Sequence, residues 1–287
     1  MTPRVIVTRP ADDALIWVDQ LNAAGCRAEA LPLIEIGAAA SPSKIDALHA
    51  AWQTLDAYSA CLFVSGNAVE HFFKPNSPPA KGTIAGSAIE NIANSGLRCL
   101  APGPGTVTAL RAAGVPAAQI DAPPPDAGQF DSQSLWQVIG ERDWQGQRVL
   151  VVRGDSVTAE SPDSPAATPG RDWIARQWTS AGAMVDFVSV YERRPPMLTP
   201  AQCQRARAAS TDGSVWLFSS SEAVSHLVGH AALAGIDWGR ARAVATHPRI
   251  AERVRQAGWT DVAQSRPALA DITAAVAAVG SIESWHP

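Results

Sequence analysis

Hydrophobic and polar positions follow one another along this chain in a recurring order: a short apolar run rich in β-branched residues, a turn, a stretch with helical spacing of apolar residues, and a glycine. Residues 4–8 (RVIVT) are the first such run, and the helix after it is expected to bury Leu15, Ile16, Val18 and Leu21 and to stop at Gly25. Further strands are predicted at 60–64, 98–101, 148–152, 184–191, 215–218 and 241–245, most of them followed by a helical stretch ending in glycine. This alternation predicts parallel sheets with crossover helices, with binding loops at the carboxyl ends of the strands.

The pattern repeats in nested order. Segment 5–35 reads strand, Arg-containing turn, helix, Gly, strand, and 149–192 reads the same way. Between and after them, LFVSGNAVEHF (62–72) matches LFSSSEAVSHL (217–227), and PGPGTVTALRAAG (102–114) matches THPRIAERVRQAG (246–258). The expected fold is α/β: two similar doubly wound, flavodoxin-like parallel-sheet domains, one inserted into the other. One is discontinuous, 1–36 and 197–287, and the inserted one covers 37–196. The chain crosses between them at 34–43 and at the proline-rich 192–200, read as a semi-rigid two-stranded hinge, and a cleft between the domains is the expected ligand site. Setting Gly25 against Gly182 pairs Ile34 with Tyr191, so one hinge carries a phenol where its twin is aliphatic. From Arg9 to Gly25 is 16 residues and from Arg153 to Gly182 is 29. The 13 extra residues fall within 154–170 (GDSVTAESPDSPAATPG), a solvated loop or a lid.

Composition narrows the class. At 287 residues, 46% hydrophobic and 17% charged, the chain is globular and long enough for two cores. A net charge of −4 provides no general basic field for nucleic acid or a membrane surface, although 20 of the 23 basic residues are Arg, the side chain suited to bidentate carboxylate contacts. The longest run without a formal charge, 223–236, is 14 residues and too short to span a bilayer, and the N-terminus reads as a strand rather than a signal peptide. Cys26, Cys61, Cys99 and Cys203 lack CxxC spacing and are expected as reduced thiols in a cytoplasmic protein. The tryptophans, Trp17, Trp173 and Trp178 among them, read as core.

Candidate chemistry sits at the strand-to-helix turns. Arg9 and Arg153 occupy equivalent turns, where an Arg either receives an anion or ties the turn to backbone carbonyls. Ser65 and Ser220 are expected N-caps, followed by Asn67 and Glu222, and a capped helix start also suits an anion. In GPGT (103–106) Thr106 is expected to cap a helix from about Val107, while its twin HPRI (247–250) has lost the Thr but carries Arg249. Asp131 and Ser132 form a further cap. His226 and His230, at i and i+4, hold a metal only with further ligands, so no metal site is assigned. No GxSxG, HExxH, GxGxxG or GKS/T is present.

Taken together, VTRP, LFVSGNAV, GPGT, DSQSL, VLVVRG, AGAMVDFVSVYER, FSSSEAV and VATHPRIAERVRQAGW resemble the uroporphyrinogen-III synthases over nearly the whole chain. The resemblance implies a cofactor-free lyase of tetrapyrrole biosynthesis that closes linear hydroxymethylbilane into uroporphyrinogen III, with loss of water and inversion of ring D. It makes Tyr191 the expected proton donor. Arg9, Ser65, Asn67, Thr106, Ser132, Arg153, Ser220 and Arg249 are then the expected contacts for the substrate's carboxylates, with no metal and a monomeric state. Arg249 and Ile250 depart from the family's small hydroxyl residues at the last helix start. Two other readings are a non-catalytic tetrapyrrole- or anion-binding sensory module, disfavoured by the lack of a DNA-binding or membrane extension, and a doubly wound enzyme using GPGT for a nucleotide phosphate.

Overall fold

The computed structural model describes residues 3–39, 41–74, 92–156 and 169–280. In chain order the first elements are β1 (Arg4–Val7), α1 (Ala11–Ala23), β2 (Arg27–Ala30), β3 (Glu35–Ala38), α2 (Pro42–Gln53), β4 (Ala60–Phe63) and α3 (Gly66–Phe73). Then come β5 (Arg98–Leu100), α4 (Pro104–Ala112), β6 (Ile120–Asp121), α5 (Ser132–Ile139), β7 (Arg148–Ser156), α6 (Pro169–Ser180) and β8 (Met184–Arg194). The last are α7 (Pro200–Ala209), β9 (Val215–Phe218), α8 (Ser221–Gly229), β10 (Arg242–Ala245), α9 (Pro248–Gln256), β11 (Asp261–Gln264) and α10 (Leu269–Gly280). The chain divides into two compact units, Met1–Glu35 with Arg194–Pro287, and Ile36–Arg193.

The first unit holds a sheet of order β11-β10-β9-β1-β2, which within the unit is 2-1-3-4-5, the flavodoxin-like order. Its pairs are all parallel, as crossover helices require. The second sheet runs β3-β8-β7-β4-β5-β6. Counted from β7, it is again 2-1-3-4-5 with β3 added outside β8. The second unit is therefore a circular permutation of the first, which explains why the sequence motifs recur in nested order. Gly25 and Gly182 hold the same left-handed place in the repeat, with φ of 86° and 85°. After each, a backbone N–H bonds five residues back, Cys26 to Leu21 O and Ala183 to Trp178 O, both 2.9 Å, closing the helix end.

Alternation along the strands divides each core into two faces. On β9, Val215 and Leu217 pack with Val5, Val7, Leu21 and Ile272. Trp216 and Phe218 point the other way into a ring cluster with Trp238 and Trp259, which stack on each other with centroids 4.6 Å apart. In the second unit Ala60 and Leu62 meet Leu135, Ile139 and Trp178, while Cys61 and Phe63 meet Trp52, Phe72 and Leu110.

Three expectations are corrected. Leu15 and Ile16 are more than half exposed, because the buried stripe of α1 runs through Ala14, Trp17, Val18 and Leu21, at i, i+3, i+4 and i+7. Thr106 is not a cap: Pro104 at the first helical position fixes the start, Gly103 is the N-cap, and Thr106 is buried in the first turn. The connectors expected as two strands are paired, since β3 covers Glu35–Ala38 and β8 continues to Arg194 as its hydrogen-bonded neighbour. β7 runs on to Ser156, so the expected loop begins later than Gly154, and most of 154–170 lies outside the described residues.

Candidate functional site

The second unit brings Tyr191 and Ser65 together through a bulge. β7 and β8 pair in register up to Arg153–Ser189, then shift so that Gly154 faces Tyr191 and Asp155 faces Glu192. One residue is skipped, so Val190 and Tyr191 join the same core instead of pointing to opposite faces. Gly154 makes room for the phenol: a Cβ there would lie 2.3 Å from Cε2 and Cζ of Tyr191. The ring is buried and its hydroxyl is 3.2 Å from Ser65 Oγ, where either group can donate. Ser65 is the N-cap of α3, its oxygen accepting from the Ala68 N–H at 3.2 Å. A hydroxyl at β8 thus meets a helix start at the junction of β7 and β4, the point where the strand order reverses.

A cation clamps the same two strands beyond the bulge. Lys44, in the first turn of α2, places Nζ 3.1 Å from Asp155 Oδ2 and 3.0 Å from Glu192 Oε1, and Ser189 Oγ donates to Asp155 Oδ1 at 2.7 Å. Burial opposes charge on both sides. The hydrogen bonds that Lys44 donates to Glu192 and Asp155 outweigh it and raise the Lys44 pKa. Those from Ser189 and Lys44, with nearby Arg153, take Asp155 below the ordinary carboxylate value. The sequence pattern assigns no role to Lys44, Asp155 or Glu192. Nothing local signals the clamp, because Lys44 is 148 residues from Glu192.

The two predicted arginines share an arrangement. Arg9 lies over Trp17, its Cζ 4.6 Å from the ring centroid, and Arg153 lies over Phe187 at 4.7 Å. In each, Nε is buried with no hydrogen-bond partner among the described residues. Burial lowers the Arg9 pKa, with Asp13 acting in the opposite direction, and a guanidinium remains cationic under such a shift. Next to Arg9, Thr8 Oγ1 donates to Leu217 O at 2.7 Å and fastens the end of β1 to β9.

The remaining predicted residues sit at helix starts. Ser220 caps α8, accepting from the Glu222 N–H at 3.1 Å. Asn67 lies in the first turn of α3. Asp131 caps α5, accepting from Gln133 and Ser134, so Ser132 is the first helical residue rather than the cap. His247 caps α9 through Nδ1, which accepts from the N–H of Arg249 at 3.1 Å, and the Arg249 side chain is exposed. Gly66 lies against Ala109 and the Gly105 carbonyl, so α3 and α4 begin side by side. His226, half of the considered metal pair, has Nδ1 2.7 Å from Leu33 O. Among the described residues no group of three or more His, Cys, Asp and Glu is placed to hold a metal ion.

Fold and site together define a class: α/β proteins of two flavodoxin-like units, one permuted, with an arginine and a serine-capped helix at each point where strand order reverses. The chain belongs to the family described as uroporphyrinogen-III synthase HemD, whose model matches residues 17–274. A mutant uroporphyrinogen III synthase from the extremely thermophilic bacterium Thermus thermophilus has a similar fold, with TM-score 0.55 and 16% identity over 97% of this chain and 98% of that one. The uroporphyrinogen-III synthetase of Helicobacter pylori is similar to the same degree, with TM-score 0.55 and 15% identity over 97% and 100%.

Proposed function

We infer that the chain closes hydroxymethylbilane into uroporphyrinogen III, with loss of water and inversion of ring D. The observation that carries this is the family match across 17–274, and a non-catalytic sensory module is not favoured. The substrate is a linear tetrapyrrole bearing carboxylates, so the protein has to fold a polyanion and give one proton to a departing hydroxyl.

In this reading Tyr191 is the proton donor. If Ser65 Oγ–H donates to the phenol oxygen, the phenolic O–H is left to point at the leaving hydroxyl. The C–O bond breaks, the hydroxyl takes the phenolic proton and leaves as water, and the pyrrole nitrogen gives up its own proton to restore the neutral phenol, leaving an azafulvene for ring closure. Arg9 and Arg153, with the starts of α3, α4, α5, α8 and α9, are the proposed carboxylate contacts through Ser65, Asn67, Thr106, Ser132, Ser220 and Arg249. Helix N-termini and fixed guanidinium groups stabilise anions without reorganising. Thr106 is buried in its turn and its N–H donates to Gly103 O at 3.1 Å, so its part in this set is to hold the helix start whose earlier N–H groups meet the anion.

A cytoplasmic monomer is the proposed setting. All four cysteines are free thiols, and Cys61 and Cys99 stand opposite one another on neighbouring strands without bonding, as a reducing compartment favours. Among the described residues no helix is long and apolar enough to cross a membrane. The activity is tested by generating hydroxymethylbilane in situ with its own synthase, adding this protein, oxidising the products and separating type I from type III uroporphyrin. Dominant type III is expected; type I alone from folded protein would overturn the reading. Sedimentation of the same preparation tests the monomer.

A further inference from the structure

Each unit carries a histidine at one place in the repeat: His71 in α3 matches His226 in α8, six residues beyond the caps Ser65 and Ser220. In the first unit His226 Nδ1 bonds Leu33 O, immediately before Ile34. Ile34 is the counterpart of Tyr191. The second unit uses the same position differently. The ring of His71 stacks on Tyr191, with centroids 5.6 Å apart and planes inclined by 30°. Its Nδ1 is buried with no hydrogen-bond partner among the described residues. Burial lowers the His71 pKa; Glu70 raises it and Lys74 lowers it further, and the result favours a neutral imidazole at pH 7. Leu or Val would fill this place without leaving a buried polar atom unmet, so retaining an imidazole here carries a desolvation cost that packing alone does not explain.

We propose that His71 is a positioning residue for Tyr191: stacked against the phenol that Gly154 admits, it confines the ring so that the hydroxyl stays at Ser65 and the start of α3. The proposal rests on Tyr191 being the proton donor. A neutral ring suits the task, because it adds no charge beside the one already present from Arg193, whose guanidinium lies 6.0 Å from the centroid of Tyr191.

The chain has two tyrosines, so labelling tyrosine with carbon-13 at Cζ yields two resonances, with Tyr58 as the internal reference. In folded His71→Leu the Tyr191 resonance is expected to shift while that of Tyr58 stays, and kcat to fall about tenfold with KM changed less than about twofold. His71→Phe keeps a flat ring and is expected to bring kcat back to within about threefold of wild type. Should His71→Leu fail to fold, His71→Gln removes the aromatic plane at similar size and carries the same expectation as Leu. An unmoved Tyr191 resonance, or a kcat loss that Phe does not rescue, overturns the proposal. Full turnover in Tyr191→Phe would instead overturn the donor reading, and the resonance would then decide on its own whether His71 holds the phenol.

Discussion

Replacing Gly154 by alanine adds one methyl group against Tyr191. The added Cβ would sit 2.3 Å from Cε2 and Cζ and 2.7 Å from Cδ2 of the phenol, whereas non-bonded carbons rest at about 3.5–4.0 Å. Relief therefore takes a shift of about 1.2 Å or more, by the difference between 3.5 and 2.3 Å. The hydroxyl begins 3.2 Å from Ser65 Oγ, so a shift of that size in the wrong direction takes it out of hydrogen-bond range. The φ of Gly154 is not in the left-handed region, so the backbone itself accepts alanine and the effect comes through Tyr191. Overpacking of this kind costs about 1–3 kcal/mol of stability, and displacing a reacting group by about 1 Å costs up to about a hundredfold in turnover. The coupled isomer assay reads the second effect and urea unfolding the first. In a Tyr191→Ala background the stability cost of Gly154→Ala is expected to vanish, which makes the pair strongly non-additive. Wild-type stability and type III output in Gly154→Ala, or additive costs in the cycle, would refute the packing of Gly154 against the phenol.

Tyr191→Phe is expected to lower kcat by about ten- to a thousandfold in the coupled assay, reaching the lower part of the range of about 10²–10⁴ usual for a general acid, and full activity would remove the proton-donor role. Lys44→Met leaves Asp155 and Glu192 close together without their ammonium. A loss of up to about 3 kcal/mol in urea unfolding is expected, discounted for partial exposure, with bulge and turnover disturbed together. Because the folded pKa of Lys44 is raised, its contribution is present below its ordinary value of 10.5 and lost as pH rises past it; because that of Asp155 is lowered, its contribution is present above 3.8 and lost as pH falls. Asp121 accepts from Arg98 Nε at 2.9 Å and Arg142 Nη1 at 2.8 Å; burial pushes its carboxyl up, but these bonds take it down to about 2. Its contribution of about 2 kcal/mol is complete above pH 3.8 and disappears as pH falls through 2, so Asp121→Asn is expected to flatten acid unfolding in that window, measured by circular dichroism.

Much of the architecture was legible because it depends on short-range regularities. Short apolar, β-branched runs marked the central strands, and the nested matches pointed to two flavodoxin-like units, since a permuted repeat preserves local motifs while reordering them. Ser65, Ser220 and Asp131 could be named as caps because an oxygen two or three residues from a free N–H is a local arrangement. Thr106 does not cap because the fixed φ of Pro104 sets the helix start ahead of the hydroxyl's capping preference. Leu15 and Ile16 are exposed because hydrophobicity alone does not decide which stripe of α1 meets the sheet.

Residues close together in the chain thus settle between them the element types, the repeat, the helix starts, and the family the motifs resemble. The surroundings of Tyr191 came from long-range packing instead. Ser65 and His71 come from α3 and its cap, Gly154 from β7 and Lys44 from α2, and only the shifted pairing of β7 with β8 brings Gly154 and Tyr191 face to face. The bulge is a property of two paired strands rather than of either segment. The clamp of Lys44 joins groups up to 148 residues apart, beyond the reach of any pattern along the chain.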